Sequence, residues 1–465
     1  MHKTGRRLHL RLANRLANKF RDNGFELYEV GGSVRDSLLK RKSHDLDFTT
    51  NAPPEKIKEM LDSFGSVYSI GEKFGTIGLR LSNKTIEVTT YRTEQYSTNS
   101  RKPSVVFGKS ILEDLSRRDF TINAIARDPL TGRILDPFKG IADTKNRSIK
   151  IVGSDQRFNE DPLRMLRAIR FACQLNFNLE VDIKNPKRLT VISNERICDE
   201  LTKILLSRRA AFGIRELCNL GLMDYIIPEL MELKGINQGK WHKEDAFGHS
   251  LSVLDKGVRL NHSYDTLVFR LACLLHDIGK PETQTEDETG IHFYSHQDIG
   301  YNKANTILHR LRFSSKTIDS VCHLIKHHMD LVIIHKSISD GTVSKRTIMH
   351  LVYRIGETNI PMLLDLVKCD IRSSRSPRYK FTTNLNRIVQ DCLIESPKTL
   401  VSPVNGYEIM EELGLDSGQI VGTIKNYLSD LVLEGTIDKN DKSSALAKAR
   451  DYQKTLIVPI GEGSD

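Results

Sequence analysis

The sequence predicts an α+β chain, with a mixed sheet plus helices over about the first 150 residues and helices alone beyond. Three observations predict it. Short apolar runs alternate with helical patterns up to about residue 150. From about residue 151, apolar positions recur at three- and four-residue spacing. The length, 465 residues, is that of several domains at about 100 to 200 residues each.

Leu8, Leu12, Leu16 and Phe20 repeat at helical spacing and predict a first helix that runs directly into the first motif. The first 21 residues are Arg-rich and contain no acid, a composition shared with organelle transit peptides, but the regular apolar repeat favours a structural helix. Strands are expected over Phe25–Val30, Leu46–Thr49, Thr76–Leu81 and Thr85–Tyr91, with Ile134–Phe138 ending a short one. Helices are expected over Pro162–Leu175, Ile197–Leu206 and Ala210–Leu220. A Gly- and Lys-rich turn at Lys234–Lys243, holding the single tryptophan Trp241, precedes a histidine-rich block that reaches Asp370. These shifts divide the chain into 1–150, 151–235, 236–375 and 376–465, the last part helical and ending in a polar tail, Gly461–Asp465, expected to fray.

Composition narrows the function classes. Hydrophobic residues make up 39% and charged residues 28%, which excludes a disordered or fibrous chain. The net charge of +10 favours a polyanionic partner, nucleic acid first. No apolar run approaches a membrane span or a secretory signal. The seven cysteines, at 173, 198, 218, 273, 322, 369 and 392, form no CxxC pair, so neither a disulfide framework nor a thiolate zinc site is expected and a reducing compartment fits.

Gly31-Gly32-Ser33-Val34-Arg35-Asp36 follows an apolar strand and opens a helical run. Glycines let the backbone approach a phosphate, the helix start offers free N–H groups, and Arg35 can complete an anion cradle. Asp45-Leu46-Asp47-Phe48 comes ten residues after Arg35. A strand would set both carboxylates on one face, a donor pair suited to a hard divalent ion. Arg117-Arg118-Asp119-Phe120-Thr121-Ile122-Asn123-Ala124 crowds polar groups between apolar ones, as an ordered network beside a sugar or phosphate would, or as a helix start with surface charges. In Asp136 we expect a turn residue. Within Glu160–Phe171, Asp161 and Arg164 can share one helix edge while Arg167 and Arg170 drift around it. That helix is either laced with surface ion pairs or presents donors and acceptors to a base edge. Glu195–Lys203 reads as a supporting helix.

In this order the blocks resemble the class II tRNA nucleotidyltransferase and poly(A) polymerase family, over about the first 230 residues. The resemblance implies a polymerase-β-like nucleotidyltransferase head at 1–150 and a helical neck for nucleotide selection and RNA binding at 151–235. It implies that Asp45 and Asp47 are catalytic and hold Mg2+. Gly32 and Arg35 would contact the nucleotide phosphates, and Arg118 would act near the triphosphate or ribose. Asp161 and Arg164 would read the incoming base, with Arg167 and Arg170 nearby. CTP and ATP would be substrates with a tRNA 3′ hydroxyl as nucleophile. The segment Gly71–Ile77 and the stretch from Tyr91–Tyr96 through Arg101–Pro103 are similar to CCA-adding members, the latter to the loop associated with the switch from C to A. CCA addition is therefore expected ahead of poly(A) synthesis, and a non-catalytic RNA-binding protein is the alternative from another class.

In the histidine-rich block, His242 and His249 lie seven apart in an expected helix, nearly on one face. His276-Asp277-Ile278-Gly279-Lys280, His296, His327-His328 and Asp370 follow. Imidazole and carboxylate suit first-row metals. The pattern resembles the HD metal-dependent phosphohydrolase domain, with His249, His276, Asp277 and Asp370 as its H…HD…D ligands and His296 and His328 as the extra histidines of some members. It implies a second divalent metal, of unstated identity, and a phosphohydrolase activity on damaged tRNA ends, against the alternative that the domain only holds tRNA. The tail at 376–465 would grip tRNA, although Lys439, Lys442, Lys448, Arg450 and Lys454 read equally as a solvated face. A cytoplasmic enzyme with no membrane partner is expected.

Overall fold

The computed structural model describes residues 2–41, 46–71, 75–81, 84–95, 104–108, 110–239, 242–339, 351–352, 354–356, 358–374, 402–433 and 436–456. It divides into two compact units: Met1–Gly235 with Val258–His262 and Thr306–Ile318, and Ile236–Gly257 with Ser263–Asn305 and Asp319–Asp465.

The first unit is organised by a seven-stranded mixed sheet. In chain order the strands are β1 (Tyr28–Val30), β2 (Leu46–Thr50), β3 (Ser66–Gly71), β4 (Thr76–Leu81), β5 (Lys84–Thr90), β6 (Arg92–Gln95), β7 (Ser104–Phe107), β8 (Ala126–Arg127) and β9 (Ile134–Leu135). The sheet runs β3-β4-β5-β2-β1-β8-β9. The β2–β5 pair is parallel and the other neighbours are antiparallel. Period-two alternation sends Leu46 and Phe48 of β2, Ile77 and Leu79 of β4, and Ile86 and Val88 of β5 into one core. The helix His2–Asp22 closes that core with Ala13, Leu16, Ala17 and Phe20. The apolar repeat of the first helix thus serves the sheet.

β3 and β8 carry no signal in the sequence reading. Ser66–Gly71 is half polar without a clean alternation, and β8 has two residues, too few to show a period. The segment expected as a loop from Tyr91 is framed by an antiparallel ribbon of β6 and β7; Tyr96–Pro103 lies outside the described residues. Asp136 accepts the Gly140 and Ile141 amides at 2.7 and 2.9 Å, closing a turn.

Beyond the sheet the first unit is helical, with Leu163–Leu175, Asn194–Leu205 and Ala210–Asn219 packed together. Phe120, Ile122, Ile149, Ala168, Phe171 and Ala172 form the core that joins these helices to the preceding loops. A parallel two-residue pairing of Ser148–Ile149 with Asn178–Leu179 interrupts the helices.

The second unit holds the helices Ala246–Val258, Thr266–Leu275, Ser315–Ser339 and Ile360–Ser373 for most of their length. The remainder of the chain is not purely helical: Gln284–Asp287 and Gly290–Phe293 form an antiparallel ribbon. Every residue of its first strand is exposed, so no apolar alternation marks it in the sequence. The helices Gly406–Leu413, Gln419–Leu433 and Lys442–Leu456 share a small core built on Ile409, Ile424 and Leu428. Asn405 and Glu408 form a reciprocal capping box at its first helix. Gly461–Asp465 lies outside the described residues. Among those described, no helix is long and apolar enough to cross a membrane.

Candidate nucleotide site and candidate metal centre

Asp47 sits on β2 between buried Leu46 and Phe48, so its side chain leaves the face opposite the core. Asp45 lies outside the described residues. The parallel register pairs Asp47 with Glu87 of β5, which places both carboxylates on one face of the sheet. Sequence reasoning passed over Glu87; the apolar-flanked triplet Ile86-Glu87-Val88 is the signal that could have found it. Two acidic side chains side by side fit a hard divalent ion.

Gly31 ends β1 and precedes the helix Gly32–Leu38 with φ of 72°. A Cβ at Gly31 would stand 3.1 Å from Arg118 Nη1 and 3.9 Å from Asp47 Oδ2. The bare Cα is therefore flanked by a guanidinium and a carboxylate, and only glycine combines this conformation with this closeness. Arg118 is aimed by Asp114, a fully buried carboxylate that accepts from Arg118 at 3.2 Å and from Arg117 at 2.7 Å. Burial would raise the Asp114 carboxyl, but the two guanidinium groups hold it below the usual carboxylate range. The spacing Asp114, Arg117, Arg118 is that of helical neighbours and was readable in the sequence.

Gly32 begins the short helix, and Arg35 lies in it, 8% exposed, with Nη1 donating to Asn123 Oδ1 at 2.6 Å and Nε to Asp36 at 2.9 Å. Asn123 in turn donates to Asp119 at 3.1 Å, and Asp119 accepts from Arg167 Nε at 2.9 Å. A continuous chain of polar contacts thus runs from the glycine loop to the helix Leu163–Leu175. The structure places Arg35 inside that chain, as a brace for the loop.

Arg167 and Arg170 drift around the helix as expected, yet both lie over the Phe171 ring, at 5.6 and 4.2 Å, and Arg35 approaches the same ring at 5.5 Å. Arg170 is held by Glu200 at 2.7 Å. Glu200 belongs to the helix read as merely supporting, so that helix positions a candidate site residue. Arg164 is buried and reaches Glu160 at 3.2 Å and the Arg117 carbonyl at 3.3 Å. The Asp161 carboxylate accepts the Leu163 amide at 3.2 Å, at the start of the same helix.

The second group lies in the other unit. His249, His276 and Asp370 form one cluster of close ligand atoms, and Asp277, His296 and His328 form another. Asp277 joins the two: Oδ2 lies 3.6 and 3.2 Å from the Nε2 atoms of His249 and His276, and Oδ1 lies 3.5 Å from that of His296. His276, His296 and His328 each contact a carbonyl three residues upstream through Nδ1, at 3.1, 2.8 and 2.6 Å. An Nδ1–H donated there leaves Nε2 as a lone pair aimed into the cluster, which is how metal-bound imidazoles are held. His276 Nε2 is buried beside Asp277 Oδ2 at 3.2 Å, and the Nε2 atoms of His296 and His328 face each other at 3.1 Å. Facing lone pairs repel unless a cation or a proton stands between them, so this donor set fits divalent metal.

Burial pushes His328 down to about 3 and lowers His296, keeping both neutral at physiological pH. Burial would raise Asp277, but His276 and Lys280 hold it well below the usual carboxylate range. Lys280 donates to Asp277 at 2.7 Å and to Gln238 at 2.6 Å; neither Lys280 nor Gln238 was singled out as a functional residue from the sequence. Gly279 permits this corner: a Cβ there would collide with the His296 carbonyl and with the Gly300 amide at 2.5 Å.

One histidine differs from expectation. His242 does not share the helix of His249, because Asp245 starts that helix by accepting the Gly248 amide at 2.7 Å. The rings still meet, with centroids 4.7 Å apart. His327 turns away from both clusters to Asp330 at 2.7 Å.

Known families match at three places. The poly A polymerase head domain covers residues 27–150, the probable RNA and SrmB-binding site of polymerase A covers 183–234, and the HD domain covers 246–359. The chain therefore carries a poly A polymerase head domain and an HD domain. It is 47% identical over 202 residues to a CCA-adding enzyme of Lactobacillus helveticus, covering 42% of this chain and 50% of that one. It is 42% identical over 231 residues to that of Ligilactobacillus salivarius, covering 48% and 56%. The match spans about half the length of these curated relatives. A solved structure of the Bacillus stearothermophilus CCA-adding enzyme in complex with CTP aligns over 95% of this chain and 96% of that one, with a TM-score of 0.64 and 26% identity.

Proposed function

We propose that the chain adds CCA to tRNA 3′ ends from CTP and ATP without a nucleic-acid template. The observation that carries this reading is the meeting of Asp47, the bare Cα of Gly31 and Arg118, with Glu87 beside Asp47. A carboxylate pair next to a backbone that leaves room for phosphate is what nucleotidyl transfer requires. The terminal RNA 3′ oxygen attacks the α-phosphorus, the bond to the bridging oxygen of the β-phosphate breaks, and pyrophosphate leaves. Asp45 and Asp47 would hold Mg2+, which when bound neutralises the triphosphate and favours loss of the hydroxyl proton. Arg118, steadied by Asp114, meets triphosphate or ribose, and the Gly32 amide meets phosphate at the helix start. Arg35 orients that loop through Asn123 and Asp119. Asp161 and Arg164 present acceptors and donors to the base, with Arg167 and Arg170 fixing the helix that carries them.

In this reading residues 1–150 are the nucleotidyltransferase head, 151–235 the nucleotide-selecting neck, 236–375 the HD domain and 376–465 the tRNA-binding tail of a cytoplasmic enzyme. Lys442, Arg450 and Lys454 of the tail pair with Glu408, Glu412 and Asp451, which leaves the tail's grip to Lys439 and Lys448. The two linked His/Asp clusters support a second activity, metal-dependent hydrolysis of 2′,3′-cyclic or 3′ phosphate on damaged tRNA.

Two variants separate the activities. Asp47→Ala should abolish nucleotide incorporation and leave hydrolysis, whereas His276→Ala should do the reverse. Loss of both activities in each folded variant would contradict two independent sites.

A further inference from the structure

The helix His2–Asp22 has two unlike faces. Ala13, Leu16, Ala17 and Phe20 are buried in the sheet core. Arg11 and Arg15 are exposed and Lys19 is half-buried on the same helix. They recur at four-residue intervals, the spacing that stacks side chains in one stripe, and Arg7 continues the interval in the sequence.

Like charges four residues apart destabilise a helix, although Lys19 lies in the last turn, where the macrodipole favours a cation. No acid lies in its first turn. Among the described residues, Arg11, Arg15 and Lys19 form no salt bridge with a carboxylate. Glu59 on the packed helix is bonded to Lys56 at 2.7 Å and feels Lys19 only through space, and Asp22 lies 4.0 Å from Arg21. Arg15 rests its guanidinium 5.4 Å from the Phe64 ring centroid. The apolar face anchors the stripe to a rigid sheet, so its cations are held in a row for an external polyanion.

We propose that Arg11, Arg15 and Lys19 contact the phosphate backbone of the RNA substrate, extending RNA binding onto the head. The proposal rests on RNA being the substrate. A row of cations recurring at one helical interval fits sequence-independent phosphate contact.

The test is tRNA binding by the full chain and by the Arg11→Gln, Arg15→Gln, Lys19→Gln triple variant, across a salt series, with phosphatidylglycerol vesicles as a second ligand. The variant should bind a tRNA transcript roughly tenfold more weakly at low salt, and the slope of log affinity against log salt should shrink by about two to three. Its melting temperature should change little, because the relief of repulsion offsets the loss of the Arg15 contact with Phe64. An unchanged tRNA affinity and slope would overturn the proposal while leaving the substrate reading intact. So would a loss confined to vesicles. Failure of the unaltered chain to bind tRNA would overturn the substrate reading and this proposal together.

Discussion

Asp119 Oδ2 accepts Arg167 Nε at 2.9 Å, tying the loop after the Asp114 helix to the helix that carries Arg164 and Arg170. The same carboxylate accepts from Asn123 at 3.1 Å through its other oxygen. One side chain thus connects the glycine loop, through Asn123 and Arg35, with the candidate base-reading helix.

Replacing that carboxylate should therefore cost both stability and fidelity. Asp119→Asn weakens a hydrogen bond between charged groups, worth about 2 kcal/mol, and frees Arg167 to move over Phe171. Urea unfolding should report the loss, and single-nucleotide incorporation should show relaxed discrimination among CTP, ATP, GTP and UTP. Unchanged discrimination would remove Arg167 from the selecting machinery.

The acid response of the pair follows from its burial. Burial alone would raise the Asp119 carboxyl, but Arg167 holds it down at about 2, below the unfolded value of about 3.9. A depressed carboxylate stabilises the fold fully above about pH 4 and stops doing so as the pH falls towards 2. Thermal melts of the parent between pH 5 and 8 should show no step from this pair, and the Asp119→Asn variant should lose part of the parent's acid dependence below pH 4. Equal acid dependence in both would contradict the ion pair.

Gly31→Ala should be more damaging than its one methyl suggests. With φ of 72° and ψ of −133°, Gly31 lies in a region other residues enter at a cost of roughly 1–3 kcal/mol, and the new Cβ would press on Arg118 Nη1 at 3.1 Å. Nucleotide incorporation should fall at least tenfold while hydrolysis at the HD clusters is retained.

Metal binding separates the two histidine clusters. His328→Ala removes a ligand from one cluster, whereas Asp277→Ala strips the carboxylate shared by both. Elemental analysis after dialysis should show partial loss of metal in the first variant and nearly complete loss in the second. Equal metal content in the two would contradict the joining role of Asp277.

Contiguous motifs were legible in the sequence and relationships across the fold were not. His276-Asp277 and the spaced histidines mark a metal centre because few residue types ligate metals. That Asp277 joins two clusters depends on Ser315–Ser339 and His296–Arg310 bringing His328 and His296 to it. Glu87 is brought beside Asp47 by a parallel register formed across the intervening β3 and β4. Arg35 reads as an exposed cation in any short motif, and its burial against Asn123 appears only once the later loop returns to the first helix. The first helix was legible from its apolar repeat, since Leu16 and Phe20 face a core that β2, β4 and β5 also enter.

The most direct measurement is mass spectrometry of a tRNA transcript lacking its 3′ terminus, incubated with the chain, magnesium and CTP alone, ATP alone or both. The account predicts growth by two C and one A, and then a stop, when both nucleotides are present. A long ladder of A, or no growth at all, would contradict it.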